Sequence, residues 1–315
     1  MRLTAAGLVG RLRDTGCVHE VSLWLAFRAP LYADNLFGHL VATAVPGVEE
    51  WRDGAYRRTM RLPHGPGIVS LRPHPDHIEC ELRLADRRDQ TEAVARCRWL
   101  LDLDADPAAI DEALGRDELL APLVRKAPGR RVPRTVDADE FAIRAVLGQQ
   151  VSTAAARTHT GRLVVRYGEP VDDPVGGLTH VFPSADALTA LDPAALAFPE
   201  SRRRTVAGLV SALAVGKLGL GAGADPGWAR TRLAGLPGVG PWTVEVIAMR
   251  ALGDPDAFPV TDLGVRLAAR KLGLPTSPAG LARRSAVWRP WRAYAVQHLW
   301  ATGDHAINHM PQDAS

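Results

Sequence analysis

The spacing of apolar residues changes about a third of the way along the chain. Up to residue 104, short stretches alternate apolar and polar positions, as half-buried strands do, and Pro, Gly and His-Pro-Asp turns separate them. This alternation predicts strands over 21–27, 56–62, 67–72 and 77–84, and helical spacing predicts helices over 36–44 and 91–101. We therefore expect a small antiparallel α/β domain over 21–104.

Beyond residue 104 the chain is rich in Ala and Leu at helical spacing, with Pro and Gly breaks. This pattern predicts no strand and favours an all-α domain over 105–305. The fold class is therefore predicted as α+β. Residues 1–20 form a leader of uncertain structure in this division, and residues 306–315 form a tail.

One stretch of the helical part combines a tight turn with a helix start. Pro237, Gly238 and Gly240 predict a hairpin, because glycine adopts backbone angles that other residues resist. Helical spacing from Pro241 to Leu252 follows at once. A hairpin that leads into a helix N-terminus presents free N–H groups and the positive end of the helix dipole, which suits a phosphate group.

A lone carboxylate, Asp262, stands about 20 residues further on, at the start of the next predicted helix over 263–272. By itself an Asp in this position is most often an N-cap. A carboxylate there can also stabilise positive charge that develops on a nearby sugar, and both roles are compatible.

Four segments together resemble one family. They are LPGVGPWTVEVIAMRALGDPDAFPVTD at 236–262, RAVLGQQVS at 144–152, FPESRRRT at 198–205 and WRPWRAYAVQHLW at 288–300. These segments are similar to the helix-hairpin-helix DNA glycosylases, and within them to the 3-methyladenine DNA glycosylase II (AlkA) type. Residues 27–86 resemble the small N-terminal domain of that family.

The resemblance implies two helical subdomains with an active cleft between them, and a hydrolase that releases alkylated purines from double-stranded DNA in base excision repair. It implies that Asp262 is catalytic and that Leu236, Gly238, Val239 and Gly240 bind the DNA backbone. Relatives that also cleave the strand place a lysine where this chain has Trp242, so a monofunctional enzyme is expected. No cysteine follows Asp262, which argues against the iron–sulfur cluster of a related branch.

The resemblance also assigns a base pocket and a wedge. Trp242 and Trp291 are expected to hold a cationic base by cation–π attraction, although tryptophans at helix starts are often core residues. Further aromatic residues of the family are replaced here, and the corresponding pocket positions are Val246, Leu263 and His39. Gln150, with Gln149 beside it, is predicted to fill the gap that a flipped base leaves, where the family has a leucine. The alternative is a polar helix terminus.

Two basic segments have two interpretations each. The first contains Arg130 and Arg131 in a turn-rich loop. The second is the start of another predicted helix, with Arg202, Arg203 and Arg204. Each segment is either a solvated surface or a set of phosphate contacts. Arg144 and Arg266 are expected to be structural or phosphate-binding, and His298 a core residue.

Composition adds modest constraints. The 315 residues carry a net charge of +3, and 46% of them are hydrophobic. No apolar run approaches the ~20 residues of a membrane span. Cys17, Cys80 and Cys97 are widely spaced, which favours a reducing cytoplasm over a disulfide framework. We expect a monomer without a cofactor, apart from a monovalent cation that the hairpin 236–240 could hold.

Three alternatives stay open at this point. One is a glycosylase for a mismatched or oxidised base. Another is a non-catalytic helix-hairpin-helix module that tethers a partner to DNA, although such a module has no need for Asp262 or the nearby tryptophans. A third is that the chain is the glycosylase part of a fused alkylation-response regulator.

Overall fold

The computed structural model describes residues 12–14, 18–221 and 223–313. Most of the predicted leader, and the last two residues of the predicted tail, lie outside these ranges. Among the described residues, no helix combines the length and apolar character that a bilayer span requires.

The N-terminal part forms an antiparallel sheet of six strands in the order β1-β2-β6-β5-β4-β3 within the described chain. The strands are β1 (Leu12–Asp14), β2 (His19–Ala26), β3 (Glu49–Arg52), β4 (Ala55–Leu62), β5 (Gly65–Pro73) and β6 (His77–Leu84). Helices α1 (Asp34–Ala42) and α2 (Gln90–Leu100) accompany the sheet. The four predicted strands and two predicted helices are confirmed, and β1 and β3 are additional. Strand β2 shows the expected alternation, since Leu23 and Leu25 are buried and Trp24 is 45% exposed.

The rest of the described chain is mainly helical. The helices are α3 (Pro107–Gly115), α4 (Ala121–Lys126), α5 (Ala138–Leu147), α6 (Thr153–Tyr167), α7 (Ala185–Leu188), α8 (Glu200–Ala214), α9 (Pro226–Ala234), α10 (Pro241–Arg250), α11 (Leu263–Lys271), α12 (Pro278–Arg284) and α13 (Arg292–Trp300). The prediction of no strand was wrong in one detail, because β7 (Glu169–Pro170) and β8 (His180–Val181) form a short antiparallel ladder. Two paired residues per strand are too few to produce an alternating pattern.

Helix α10 belongs to two apolar clusters of the helical region. Val244 and Ile247 pack with α5, α8 and α9, whereas Ala248 and Met249 pack with the cluster that contains α11 and α13. Successive residues on a helix face different directions, so one helix can be shared in this way. The hairpin that precedes α10 lies on the side of the first cluster, which includes Val239 and has Leu236 packed against it.

The C-terminal segment packs on the N-terminal domain. Residues Ala306–Asn308 form a 3₁₀ turn against α1, and Met310 lies against the apolar core of the sheet. A Cβ atom at Gly38 would lie 2.3 Å from the carbonyl oxygen of His309, so only glycine fits there. This packing corrects the division at residue 306, since the described tail residues belong with α1.

A buried charge cluster joins the sheet to α5. Arg58 of β4 makes ion pairs with Glu140 at 2.8 Å and with Glu49 at 3.3 Å. Arg144 pairs with Glu140 at 2.7 Å and with Glu49 at 2.9 Å, and it also donates to the carbonyl of Thr43. Burial opposes the ionisation of Glu49, but the charges of Arg144 and Arg58 outweigh it and hold the pKa of this carboxyl below its usual value. The structural role expected for Arg144 fits this cluster.

Candidate active site

Asp262 lies where three N–H donors converge. One carboxylate oxygen, Oδ1, accepts the backbone N–H of Val265 at 2.8 Å and the indole N–H of Trp300 at 2.8 Å. The other, Oδ2, accepts the indole N–H of Trp242 at 2.8 Å. Asp262 is therefore the N-cap of α11 and is also held by two tryptophans. An ionised carboxylate only accepts hydrogen bonds, so three donors suit the anion.

Trp300 was not predicted as a site residue, and the structure places it where Trp291 was expected. Trp300 is the last residue of α13, which packs against α11. A Cβ atom at residue 264 would lie 3.0 Å from Trp300 Cδ1, so Gly264 makes room for the indole. The sequence indicates this approach only through that glycine, two positions after Asp262.

Trp291 and Leu263 do not line the cavity, which corrects both pocket assignments. Trp291 is half-buried in the apolar cluster of α13 and meets the ring of Tyr294 edge to face, at 5.8 Å between centroids. Leu263 is 68% exposed. One reason is helical geometry, because the residue after an N-cap points away from the side that the cap residue faces.

A cavity of about 670 Å³ opens beside Asp262. Trp242, Val246 and His39 line it as predicted, and Trp300 and Arg250 add to its wall. His39 comes from the N-terminal domain, so both parts of the chain build the cavity. Its volume falls in the range of small-molecule sites, and its wall combines aromatic surface with a few charged groups.

The hairpin before α10 has the backbone that its sequence predicts. Gly238 has φ +84° and is exposed, and the N–H of Val239 donates to the carbonyl of Leu236 at 3.1 Å. Gly240 is the N-cap of α10 and Pro241 occupies its first turn. The arrangement presents the glycine backbone and the first turn of α10 together, which is a geometry that binds phosphate.

Replacing Gly238 with Ala is expected to weaken binding to duplex DNA by about tenfold or more, because the hairpin must deform. A Cβ atom at residue 238 would lie 1.9 Å from Thr205 Oγ1 of α8. Fluorescence anisotropy with a labelled duplex measures the affinity. The control is Gly208→Ala, since a Cβ there meets nothing within 4 Å. Equal affinity of Gly238→Ala and the native protein would contradict a backbone role for the hairpin.

The predicted wedge residues lie next to this hairpin. The side-chain amide of Gln149 donates to the carbonyl of Gly238 at 3.2 Å and to Thr243 Oγ1 at 2.9 Å, and so ties the end of α5 to the hairpin. Gln150 is exposed and has φ +53°, a left-handed conformation that is uncommon for residues other than glycine. Gln149 is therefore a structural brace, and Gln150 is the one left available to contact DNA.

The two basic segments differ. Arg130 and Arg131 are buried, which corrects both interpretations of that loop. Arg131 donates to the carbonyls of Arg28 and Ala105, and Arg130 lies 4.6 Å from the ring centre of Tyr32. Arg131 is thus anchored by backbone carbonyls, whereas Nε and Nη1 of Arg130 are buried without a hydrogen-bond partner among the described residues.

In the second segment, Arg203 donates to the carbonyl of Phe198, and Arg202 lies 5.0 Å from the ring centre of the same residue. Arg204 stays exposed beside Glu200 at 3.5 Å. These arginines keep a phosphate-binding role as a prediction.

Comparison with known proteins places this chain in a family. A family model described as the AlkA N-terminal domain matches residues 22–137. DNA-3-methyladenine glycosylase 2 of Escherichia coli is 34% identical over 274 residues, which cover 85% of this chain and 92% of that protein. The chain belongs to the DNA-3-methyladenine glycosylase 2 family. The family resemblance inferred from the sequence motifs is thereby confirmed.

Two other matches extend this result. A Mycobacterium tuberculosis protein named as a probable bifunctional transcriptional activator/DNA repair enzyme AlkA is 62% identical over 297 residues. The match covers 94% of this chain but only 60% of that relative. The structure of a 3-methyladenine DNA-glycosylase from Archaeoglobus fulgidus superimposes with a TM-score of 0.75 at 19% identity, over 88% of this chain and 96% of that one. At that identity the likeness concerns the fold, and it supports the α+β class.

Proposed function

We propose that this chain is a monofunctional DNA glycosylase that binds duplex DNA and hydrolyses the N-glycosidic bond of alkylated purines such as 3-methyladenine and 7-methylguanine. The observation that carries the proposal is the carboxylate of Asp262, held by the indole N–H groups of Trp242 and Trp300 at the wall of the cavity. Membership of the DNA-3-methyladenine glycosylase 2 family supports the same reaction class.

The first step is access to the base. The hairpin 236–240 and the first turn of α10 bind the DNA backbone, and the exposed Gln150 fills the space that the flipped nucleotide leaves. Unstacking a base costs a few kcal/mol, and contacts to the backbone and within the pocket offset this cost. A monovalent cation at the hairpin stays a prediction.

The second step is bond cleavage. The bond between C1′ and the base nitrogen breaks, and its electron pair goes to the base, which neutralises the positive charge of a methylated purine. Positive charge then develops on the sugar, where the Asp262 carboxylate stabilises it. Water adds to C1′ and loses a proton, which leaves an abasic site. Since the leaving base is already activated, no acid on the base is needed.

Trp242 and Trp300 contact the Asp262 carboxylate and can also contact the flipped base. Their N–H edges hold Asp262, and their electron-rich rings can attract a cationic base by roughly 0.5–2 kcal/mol. Because both indoles contact the same carboxylate, the position of the base is linked to the position of the anion.

The absence of strand cleavage follows from the position of the amines. Residue 242 is a tryptophan, and the lysine that lines the cavity within the described residues is Lys271. Lys271 lies at the far end of α11 from Asp262, about 13 Å along the helix axis. Its amine donates to the carbonyl of Thr302 at 2.8 Å. A Schiff base at the sugar therefore lacks a nucleophile close to Asp262.

Release of bases from duplex DNA methylated with dimethyl sulfate tests the proposal. Mass spectrometry is expected to detect free 3-methyladenine and 7-methylguanine, and the strands are expected to stay intact until alkali or heat is applied. Strand breaks without alkali would contradict the monofunctional mechanism. Tight binding without release of either base would contradict the proposed substrate and favour another lesion or a tethering role.

A further inference from the structure

Arg250 is a buried cation at the floor of the cavity, and no carboxylate lies within ion-pair distance of it in the described chain. Its Nε–H donates to the carbonyl of Pro133 at 2.7 Å, and an Nη2–H donates to the carbonyl of Arg134 at 3.4 Å. The guanidinium also lies 4.8 Å from the ring centre of Phe141. Burial lowers the pKa of Arg250 to about 9, so it is still charged at neutral pH.

The remaining contact of Arg250 fixes the protonation of His39. Nη1 of Arg250 is hydrogen-bonded to Nε2 of His39. A guanidinium has only donors, so Nε2 must be the unprotonated nitrogen of the ring. Burial, with the nearby charges of Arg250 and Arg144, holds the pKa of His39 well below its usual value. His39 is thus neutral, and its single proton is on Nδ1.

The Nδ1–H group of His39 is a donor without a partner among the described residues. His39 is 8% exposed and lines the cavity. Its Nδ1 is not among the fully buried side-chain nitrogen and oxygen atoms that lack a hydrogen-bond partner in the described chain. The open surface of this nitrogen therefore belongs to the cavity. A donor in this position gains most from an acceptor that a bound molecule brings.

The imidazole plane is also suitably oriented. The rings of His39 and Trp300 are inclined by 21°, with centroids 6.5 Å apart. A base that stacks on Trp300 lies nearly parallel to the imidazole. Where such a base lies in the same layer as the imidazole, an N–H group of the ring meets an acceptor at the edge of the base close to the plane of both rings, which is the preferred direction for an acceptor.

We propose that the His39–Arg250 pair is a specificity device that favours flipped purines with a carbonyl oxygen at C6 over purines with an amino group there. The carbonyl of 7-methylguanine or hypoxanthine accepts the Nδ1–H of His39. The amino group of 3-methyladenine instead places a donor against a donor, which leaves both groups without a partner. The inference rests on the proposed function only in taking the cavity as the site of a flipped base.

Binding of free bases tests the pair without relying on catalysis. Hypoxanthine and unsubstituted purine differ at C6 and N1, and quenching of tryptophan fluorescence measures the affinity of each. We expect the native protein to bind hypoxanthine about tenfold more tightly. In His39→Phe, which keeps an aromatic ring but has no donor, the preference is expected to fall below about threefold. His39→Asn, whose side-chain amide replaces the Nδ1–H, is expected to keep most of it.

Two controls make the result specific. His77→Phe is the matched substitution outside the cavity, in a ring stack with Trp24 and His74, and it is expected to keep the native preference. Thermal melting shows whether each variant is folded. Equal affinity of the native protein for both bases, or an unchanged preference in folded His39→Phe, would overturn the proposal. Equal loss of preference in His39→Asn and His39→Phe would also overturn the role of the donor.

Release from methylated DNA separates this inference from the proposed function. The ratio of 7-methylguanine to 3-methyladenine released in one reaction is expected to fall about tenfold in His39→Phe. If the native protein releases neither base but prefers hypoxanthine in the binding assay, the proposed function fails and the His39 inference stands. If both bases are released and the ratio does not change in His39→Phe, the inference fails and the proposed function stands.

Discussion

Replacing Asp262 with Asn is expected to lower the single-turnover rate of base release by roughly 10³-fold or more, because the anion that stabilises the sugar cation is lost. The new amide also fits poorly between the two indoles, because only one of its two polar groups can accept a hydrogen bond. Both carboxylate oxygens of Asp262 accept indole N–H groups, and the NH₂ of the introduced amide would face one of these donors. Quantification of free base from methylated duplex DNA measures the rate.

A matched control separates this effect from helix capping. Asp225 caps α9 through the backbone N–H of Trp228, as Asp262 caps α11, but Asp225 does not line the cavity. Asn is a good N-cap, so Asp225→Asn is expected to keep native release, and Asp262→Asn to keep most DNA binding. Near-native release by Asp262→Asn would reduce Asp262 to a cap and overturn the mechanism.

The second large effect concerns the buried charge cluster. Replacing Arg58 with Met is expected to lower the free energy of unfolding by about 3–5 kcal/mol at neutral pH, because it leaves Glu49 and Glu140 buried without one of their cationic partners. Urea denaturation measures the change. The control is Arg116→Met, which removes an exposed pair with Glu112 and is expected to cost less than about 1 kcal/mol.

The loss in Arg58→Met is expected to depend on pH. Burial already raises the pKa of Glu140, and removal of Arg58 raises it further. A carboxyl whose folded pKa lies above its unfolded value favours the folded state at low pH, and this advantage is lost as the pH rises through the folded pKa. The destabilisation should therefore be smaller near pH 5 than near pH 8. A loss that does not vary with pH would indicate that packing, and not charge, holds the domains together.

The same cluster bears on function, because it attaches the N-terminal domain to α5 beside the cavity. Glu49, Arg58 and Arg144 lie in the cavity wall, together with His39 from α1. A change at the domain junction is thus a change in the wall of this cavity. Glu49, Arg58 and Arg144 line the cavity although they take no direct part in the proposed chemistry.

Local features of the site could be predicted from the sequence because neighbouring residues determine them. Gly238 and Gly240 predict a hairpin, and the structure has that turn: Gly238 has φ +84°, which favours glycine, whereas Gly240 has φ −87°, which other residues also adopt. Asp262 stands before a helix and caps it, as its residue type favours. The alternation of the N-terminal strands and the helical spacing after residue 104 indicated the α+β class for the same reason.

Only the tertiary structure decided which distant side chains meet. Trp291 and Trp300 lie at the two ends of one helix, and nothing local indicates which of them reaches Asp262. Packing of α13 on α11 brings the later one to the carboxylate. Likewise Arg130 and Arg131 have the composition of a solvated loop, but the carbonyls and rings that bury them come from elsewhere in the chain. The spacing of residue types along the sequence determines local conformation. Contacts between distant residues depend on how whole helices and strands pack against one another.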